Sequence, residues 1–299
     1  MKFNHRILTC FVLFGLVLAA CSPTGATNLL AQIQQRGTIV VSTDPNYAPQ
    51  SVLKQDGRRT EGTKCSSDQL TAGEMEGFDV DVAAEIGKRL GVETCFATPS
   101  WDAITAGNWA DKWDISVGSM TITTGRQEIL FFTTPYYYTP AQFAAASDAG
   151  IASLDDLAGK AVCVGSSTTY ESWLNGDMAG LGLPEASIYA EVPANITVVP
   201  LETDQECAQA IASGRKDFVA YLTSATVVDS NIANGAPVSK VGSPVFSEDL
   251  SVAIDKAHTL TVDSLVSKLD EIVKAMHADG TLSQFSNTWF GTDLTQAPN

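Results

Sequence analysis

The chain has 299 residues and carries 34 Asp and Glu against 18 Lys and Arg, a formal net charge of −16. Because phosphate groups and anionic lipids are bound by clusters of basic side chains, this balance excludes an electrostatic nucleic-acid binder and disfavours a basic membrane-surface protein. With 44% hydrophobic and 17% charged residues, the chain is predicted to be globular, and its length suits about two domains.

The N-terminal segment, residues 1–20, is predicted to be an export signal. Two basic residues precede an apolar run from Ile7 to Ala20, which is too short for a spanning helix and typical of a signal peptide. The run ends in Leu-Ala-Ala-Cys21, which resembles a bacterial lipobox, whose cysteine is lipidated and becomes the mature N-terminus. We therefore expect residues 21–28 to be a lipidated cysteine and a tether, on an extracytoplasmic protein anchored to the cell membrane. The alternative is an ordinary signal peptide with a chance cysteine.

Hydrophobic periodicity and turn residues predict alternating helices and strands in the first half of the chain. The predicted elements are a helix over 28–37, a strand over 38–42, a turn-rich loop over 44–49, an irregular inserted loop over 50–76, a helix over 77–90, a strand over 92–97, a helix over 101–107 and a strand over 113–117 that leads into residues 118–121.

The same alternation continues in the second half. The predicted elements are a strand over 142–146, a short helix over 154–159, a strand over 161–164, a Ser/Thr-rich turn over 165–169 with a helix from residue 170, a strand over 196–199, a helix over 204–213, a strand over 217–222 and a long amphipathic helix over 260–278. Strands alternating with helices predict an α/β fold with largely parallel sheets. Because the pattern runs through twice, we predict two α/β lobes.

Four cysteines remain after Cys10 leaves with the signal and Cys21 takes the lipid, and in an exported protein they predict two disulfides. Three connectivities are possible. We favour pairing within each predicted lobe, which gives Cys65–Cys95 and Cys163–Cys207. No two of these cysteines have the spacing of a zinc site, so we expect no metal and no cofactor.

Short motifs follow one another along the mature chain in a characteristic order. They are residues 43–49 (TDPNYAP), 77–81 (GFDVD), 101–102 (WD), 118–123 (GSMTIT) with Arg126, 132–136 (FTTPY), 154–164, 278–281 (ADGT) and 289–291 (WFG). In this order and spacing, behind a lipobox, the chain resembles the extracellular solute-binding proteins of ABC importers, in particular the polar amino-acid-binding family (family 3).

The resemblance implies a fold and a partner. Members of the family have the type II, Venus-flytrap fold of periplasmic binding proteins, in which two α/β lobes are joined by two crossing hinge segments and close on a ligand between them. We place the crossings near residues 138–142 and 246–250, so that one lobe comprises residues 29–138 plus 247–299 and the other residues 139–246. The implied partners are a small carboxylate-bearing solute, such as an amino acid, and an ABC transporter permease. We expect a monomer that binds no nucleic acid.

The resemblance also implies a carboxylate site in the first lobe. In the family, the arginine at the position of Arg126 grips the ligand α-carboxylate, as a guanidinium fork can do through two parallel hydrogen bonds. Gly118, Ser119 and Thr121 belong to the same motif at the end of a strand, where α/β folds place ligands. The resemblance implies a backbone carbonyl near Gly118 for the ligand amine and the hydroxyl near Thr121 for the carboxylate. Without the motif, Arg126 would be interpreted as a solvated surface residue.

Further predicted ligand-binding residues come from both lobes. Tyr47 and Trp101 match positions whose side chains enclose the ligand side chain, and Asp44 is expected at the cleft mouth, where it could pair with a ligand cation. Thr168 and Thr169 open a helix in the second lobe, where free N–H groups suit an anion. The alternatives are core packing for the aromatic residues, turn chemistry for the aspartate and plain N-capping for the threonines.

One position departs from the family pattern. The aspartate that pairs with the ligand α-ammonium in most amino-acid binders of the family falls on Leu222 here, and leucine accepts no hydrogen bond. Either Thr223, Glu202 or Asp204 replaces it, or the ligand lacks an α-amino group and is another organic acid.

Two further functional classes were weighed against a binding protein. An exported dehydratase-like enzyme can share this fold, and it would need a general acid or base in the cleft. Both histidines of the mature chain, His258 and His277, lie far from the cleft motifs, although Glu171 and Glu202 could lie near the cleft. A receptor sensor domain would need a second hydrophobic span, which the sequence does not contain. We therefore predict a binding protein and not an enzyme.

Overall fold

The chain forms ten α-helices and thirteen strands within residues 26–298, which are the residues that the computed structural model describes. The predicted signal segment, Cys10 and the predicted lipidation site Cys21 lie outside this range. The strands are β1 (Thr38–Ser42), β2 (Asn46–Tyr47), β3 (Ser51–Leu53), β4 (Leu70–Thr71), β5 (Met75–Glu76), β6 (Glu93–Ala97), β7 (Ile115–Thr121), β8 (Leu130–Phe132), β9 (Tyr137–Ala146), β10 (Ala161–Gly165), β11 (Thr197–Leu201), β12 (Ala220–Ser224) and β13 (Val238–Asp255).

The helices are α1 (Leu29–Arg36), α2 (Phe78–Leu90), α3 (Trp101–Thr105), α4 (Thr124–Ile129), α5 (Thr169–Leu174), α6 (Met178–Leu181), α7 (Asp204–Ala212), α8 (Ala225–Ala233), α9 (Asp263–Ala278) and α10 (Thr281–Phe290). Helix ends follow local chemistry. The Asn28 side chain accepts the N–H of Ala31 at the start of α1, and Gly37 ends that helix in the left-handed region at φ 73°.

Nine strands follow one another in a single mixed sheet, in the order β11-β10-β12-β9-β13-β7-β1-β6-β4, and β8 also pairs with β13. β1 lies parallel to β6 and β7, and β10 lies parallel to β11 and β12. β9 and β13 are antiparallel to each other in the middle, with Tyr137 opposite Leu250 and Ala141 opposite Phe246. The prediction of largely parallel sheets is therefore corrected, because two long strands run between the parallel parts and pair with each other.

The apolar cores separate along the sequence. Two buried clusters draw their members from residues 29–137 and 250–282, and two others draw theirs from residues 141–246. β9 and β13 contribute to cores of both kinds, since Tyr137 and Leu250 belong to the first kind and Phe143 and Val241 to the second. We propose on this basis that the lobes are residues 29–138 plus 247–299 and residues 139–246.

The strongly periodic elements were predicted to within a few residues, and the short ones were not. Residues 50–76 were expected to be irregular, but they contain the three short strands β3, β4 and β5. Four helices, α4, α6, α8 and α10, had no predicted counterpart, and β13 is far longer than any predicted strand. Strands of two or three residues are too short to show a recognisable alternation of apolar and polar residues, and their pairing depends on neighbours that are distant in sequence.

Both favoured disulfides are present, with Cα–Cα distances of 5.4 Å for Cys65–Cys95 and 5.7 Å for Cys163–Cys207. Each bond joins elements on the same side of β9 and β13, the two long strands in the middle of the sheet. Between residues 26 and 298, no helix combines the length and the apolar character needed to cross a membrane.

Candidate ligand-binding site

A cavity with about 470 Å³ of space free of atoms, part of it open to solvent, is lined by residues of both proposed lobes. Nine of the ten residues predicted to bind ligand line it, namely Asp44, Tyr47, Trp101, Gly118, Ser119, Thr121, Arg126, Thr168 and Thr169. The tenth, Thr223, does not. The other lining residues are Gly165, Tyr170, Glu202, Thr203, Asp204 and Glu248.

The topology explains why these residues meet. Asp44 and Tyr47 follow β1, Trp101 follows β6, and the lining residues from 165 to 170 and from 202 to 204 follow β10 and β11. The carboxyl ends of parallel strands share one edge of a sheet, which is where α/β folds bind ligands. The parallel strands β1, β6 and β7 on one side and the parallel strands β10 and β11 on the other have their carboxyl ends at this cavity.

Arg126 is 9% exposed and lines the cavity. Its Nη1 donates to the carbonyl oxygen of Thr121 at 3.1 Å and its Nη2 to that of Ser167 at 3.0 Å, while the guanidinium lies over the Trp101 ring at 5.5 Å from the centroid. Burial lowers the pKa of Arg126 to about 10, and the charge of Glu248 opposes this change. Within residues 26–298 Arg126 forms no salt bridge, and two hydrogen bonds leave further N–H groups of the guanidinium for a ligand. The surface interpretation of this arginine is therefore wrong.

Glu248 is a buried carboxylate on β13 with 1% exposure. Its Oε1 accepts hydrogen bonds from the hydroxyls of Thr121, at 2.6 Å, and Thr169, and its Oε2 accepts one from Tyr170 at 2.7 Å. Burial raises the pKa of Glu248, and the three hydroxyl donors and the charge of Arg126 lower it. The donors come from β7 and α5, so this carboxylate contacts both sides of the cavity.

Asp204 begins α7 and is 6% exposed. Its Oδ1 accepts the backbone N–H of Gly165 at 2.7 Å, and its Oδ2 accepts the hydroxyl of Thr223 at 2.8 Å. Burial raises the pKa of Asp204 to about 7, and the charges of Asp44 and Glu248 act in the same direction. Thr223 thus lies behind Asp204 and orients it, and it does not face the cavity.

The aromatic residues and two more carboxylates complete the wall. The Tyr47 hydroxyl lies 3.4 Å from that of Tyr170, and the Trp101 Nε1 atom is buried without a hydrogen-bond partner within the described chain. Burial raises the pKa of Asp44, which the charge of Glu202 raises further. Asp44 and Glu202 follow β1 and β11, so two like charges approach each other from opposite sides of the cavity.

A buried polar network supports the wall from behind. Asp79 accepts hydrogen bonds from the Ser119 and Tyr136 hydroxyls, each at 2.7 Å, and the Ser119 hydroxyl lies 2.6 Å from that of Tyr137. Tyr136 in turn accepts the backbone N–H of Ser119 at 2.9 Å. Ser119 holds φ at 54°, an unfavourable value for serine that this network maintains. Burial raises the pKa of Asp79 to about 7, against the two hydroxyl donors.

Sequence reasoning missed Glu248 as a site residue, although it lies in the predicted crossing at 246–250. The available signal was a carboxylate between the apolar residues Phe246 and Leu250 of the predicted crossing. Asp204 was considered only as a possible replacement at the missing ammonium site, and Glu202 both there and as a possible acid near the cleft. Leu222 is fully buried in an apolar core and does not line the cavity. Glu171 accepts the N–H of Ser167 at 2.7 Å and also lies outside the lining.

Comparison with known proteins places this geometry in a family. The chain is 26% identical over 270 residues to the L-cystine-binding protein TcyJ of Escherichia coli (strain K12), covering 90% of this chain and 88% of that protein. Among solved structures it is similar to an ancestral arginine-binding protein bound to arginine, with a TM-score of 0.67 and 25% identity over 85% of this chain and 99% of that one.

A second similar structure is the ancestral amino acid-binding protein AncCDT-1, a precursor of cyclohexadienyl dehydratase, with a TM-score of 0.68 and 27% identity over 87% of this chain and 99% of that one. The family profile of the bacterial extracellular solute-binding proteins, family 3, matches residues 39–292, which is most of the chain. The chain therefore belongs to the bacterial extracellular solute-binding proteins, family 3.

Proposed function

We propose that the protein captures an amino acid in this cavity and delivers it to an ABC import permease. The observation that carries the proposal is Arg126, a buried guanidinium on the cavity wall that forms no salt bridge among the described residues. A buried charge without an ion partner is costly, and a ligand carboxylate would relieve that cost through charge-assisted hydrogen bonds. The backbone N–H groups of Thr168 and Thr169 at the start of α5 border the same space and are the proposed partners of that carboxylate. The hydroxyls of these residues and of Thr121 already donate to Glu248 or to the Gly165 carbonyl oxygen.

The charge of the wall favours amino acids that carry an additional positive group. One guanidinium faces four carboxylates, those of Asp44, Glu202, Asp204 and Glu248. A zwitterionic amino acid adds no net charge to the cavity, whereas one with a cationic side chain offsets part of the excess negative charge of the wall. Asp44 and Glu202 approach each other across the cavity, and a cation between them would relieve their repulsion. The Tyr47 and Trp101 rings beside them would contact a cation through their faces.

The experiment is calorimetric titration of residues 22–299, unfolded and refolded to remove bound ligand, with arginine, lysine, histidine, cystine, glutamine and glutamate. We expect the cationic amino acids to bind more tightly than glutamate. Because removing one partner of a buried ion pair costs roughly 3 kcal/mol or more, Arg126→Ala should weaken binding by about 100-fold or more.

The matched control is Arg215→Ala, which removes an exposed arginine that pairs with Asp217 and should leave affinity unchanged. Undiminished affinity in Arg126→Ala would contradict the carboxylate site. Failure of every amino acid to bind, with tight binding of an organic acid that lacks an amine, would replace the proposed ligand class.

We further infer that the protein releases its ligand chemically unchanged, as expected of a solute-binding family. The dehydratase alternative would need a proton donor, and Asp204, with a pKa of about 7, is the wall residue that could act as one. Prolonged incubation with each ligand that binds, followed by NMR of the small molecule, should show no product. A new product that disappears in Asp204→Asn would favour the enzyme.

The anchor and the assembly remain proposals from the sequence. We propose that Cys21 carries a lipid that holds the protein at the outer face of the cell membrane, and that it acts as a monomer. Cys21→Ala should move the protein from the membrane fraction to the soluble fraction. Retention of that variant in membranes would contradict the lipid anchor.

A further inference from the structure

Two buried carboxylates of the cavity wall form no ion pair within residues 26–298, although the charge of Arg126 acts on one of them, Glu248. Neither Asp204 nor Glu248 forms a salt bridge there, and both are more than nine-tenths buried. Three hydroxyls hold Glu248 from β7 and α5, while a backbone N–H and a hydroxyl hold Asp204. The protein thus fixes the orientation of two buried carboxylates without an ion pair to either, which a buried site does when the positive partner arrives with a ligand.

The hydrogen bonds donated to Asp204 and Glu248 leave some acceptor positions of these two carboxylates unused. Two carboxylates together offer about eight lone-pair positions. Glu248 uses three of its positions and Asp204 uses two. The unused positions lie on carboxylates that border one cavity, close enough for the charge of Glu248 to raise the pKa of Asp204. A primary ammonium, with three N–H donors and one positive charge, satisfies them better than a hydroxyl or a tertiary amine.

We infer that Asp204 and Glu248 together bind the α-ammonium of the ligand, and we call this pair of carboxylates the seat. This inference rests on the proposed function and assigns the group that the amino-acid ligand presents next to its carboxylate. Arg126, Asp204 and Glu248 line the same cavity, and Arg126 is near enough for its charge to oppose the burial that raises the pKa of Glu248, so the carboxylate and the ammonium of one α-carbon can contact groups of opposite charge. Tyr47 and Tyr170 border the seat, and burial raises the pKa of each hydroxyl, with the charges of both carboxylates acting in the same direction.

Glu248 also gives the seat a role in closure. It lies on β13, one of the two strands that run between the cores, and its hydroxyl donors belong to elements on opposite sides of the cavity. An ammonium bound here would be held at the junction of both sides. Ligands without an α-amine would leave two buried carboxylates unpaired and should therefore bind weakly.

The test compares each amino acid with the analogue that lacks only the α-amine. The pairs are L-arginine with 5-guanidinopentanoate, L-lysine with 6-aminohexanoate and L-histidine with 3-(imidazol-4-yl)propanoate. We expect the unmodified protein to prefer the amino acid by about 100-fold or more, since a site built for a polar group strongly rejects the analogue that lacks it. Glu248→Gln and Asp204→Asn should each reduce that preference by about tenfold, because each removes one charged acceptor.

The matched control is Asp249→Asn, the next residue on β13, which is half-buried and does not line the cavity. It should keep the full preference. A structural defect would weaken both members of a pair equally, so the ratio of the two affinities separates recognition from folding. If Glu248→Gln fails to fold, Asp204→Asn carries the same test.

The outcomes distinguish the two proposals. If amino acids bind but both variants keep the unmodified preference for the α-amine, the seat is wrong and the proposed function stands. If an amino acid and its analogue bind the unmodified protein equally, the seat is also wrong. If no amino acid binds at all, both proposals fail.

Discussion

Gly165 shows how one residue type makes room for a functional carboxylate. A Cβ atom added there would lie 2.7 Å from Asp204 Oδ1 and 3.1 Å from Thr168 Cγ2. Gly165 does not hold a positive φ, so the backbone itself would accept alanine. The glycine is therefore required by the close approach of Asp204 to the Gly165 N–H and not by a turn.

We predict that Gly165→Ala weakens ligand binding by about tenfold or more, because the methyl group displaces Asp204 and a charged hydrogen bond is lost. The measurement is calorimetric titration with the tightest-binding amino acid of the panel. Gly125→Ala is the matched control, since its Cβ would meet nothing nearer than the Gly180 oxygen at 3.5 Å. Equal affinity in both variants would show that Asp204 does not need its present position.

Site residues that belong to a sequence motif could be predicted, whereas a site residue that only the fold brings to the cavity could not. Arg126 and Trp101 were predicted from their motif positions, and both line the cavity. Glu248 has no motif around it, and its importance arises because β13 passes beneath the cavity and meets hydroxyls from β7 and α5. Such convergence depends on strand register, which a single sequence does not determine.

At the scale of elements, the disulfide Cys163–Cys207 clamps the two elements that hold Asp204. Cys163 lies on β10, two residues before Gly165, and Cys207 lies on α7, three residues after Asp204. The covalent bond therefore joins the same strand and helix as the Gly165–Asp204 hydrogen bond. The other disulfide, Cys65–Cys95, joins a loop to β6, and no cavity residue lies on either.

We predict that replacing Cys163 and Cys207 together by alanine weakens binding by about tenfold, because the hydrogen bond alone must then position Asp204. The matched control is the double alanine variant at Cys65 and Cys95. The chain-entropy model gives both losses a similar size, about 3 to 4 kcal/mol of unfolding free energy, for sequence separations of 44 and 30 residues.

Chemical denaturation and ligand titration of both double variants provide the check. Both should lose stability, and only the variant without Cys163–Cys207 should lose affinity. Equal losses of affinity would mean that general stability, and not the position of Asp204, limits binding.

The elements also show where prediction from sequence succeeds. Helix α9 and strand β1 carry strong periodic or β-branched patterns and were predicted nearly to their observed ends. Helix α4, which carries Arg126, has six residues and a first turn started by the Thr123 side chain. A helix of one to two turns gains too little from its own propensity to be recognised, and tertiary contacts stabilise it instead.

At the scale of the whole molecule, the fold determines where the acidic side chains lie and therefore what they can bind. A net charge of −16 excludes classes of partner but says nothing of position. The fold gathers four carboxylates and one guanidinium around one cavity and buries a further carboxylate, Asp79, behind its wall. Several of these acids keep raised pKa values, so stability without ligand must depend on pH.

Asp79 allows that dependence to be measured away from the ligand. Its pKa is about 7 in the folded protein, against about 4 in an unfolded chain, so the folded state holds a proton that the unfolded state releases. The stability linked to this proton is fully present below about pH 4 and is lost as the pH rises towards 7. Between pH 5 and pH 8 the loss amounts to about 2 to 3 kcal/mol.

We predict that Asp79→Asn removes this part of the pH dependence, because the amide cannot ionise and can still accept the Tyr136 hydroxyl. Urea unfolding of ligand-free protein at pH 5 and pH 8 should show the unmodified chain losing about 2 to 3 kcal/mol more than the variant. Asp204 and Glu248 are present in both proteins, so their titration cancels in the difference. Exposed Asp68→Asn serves as the control and should keep the unmodified pH dependence. Parallel losses in Asp79→Asn and the unmodified protein would mean that Asp79 is ionised in the fold, with its charge balanced by the hydroxyls of Ser119 and Tyr136 alone.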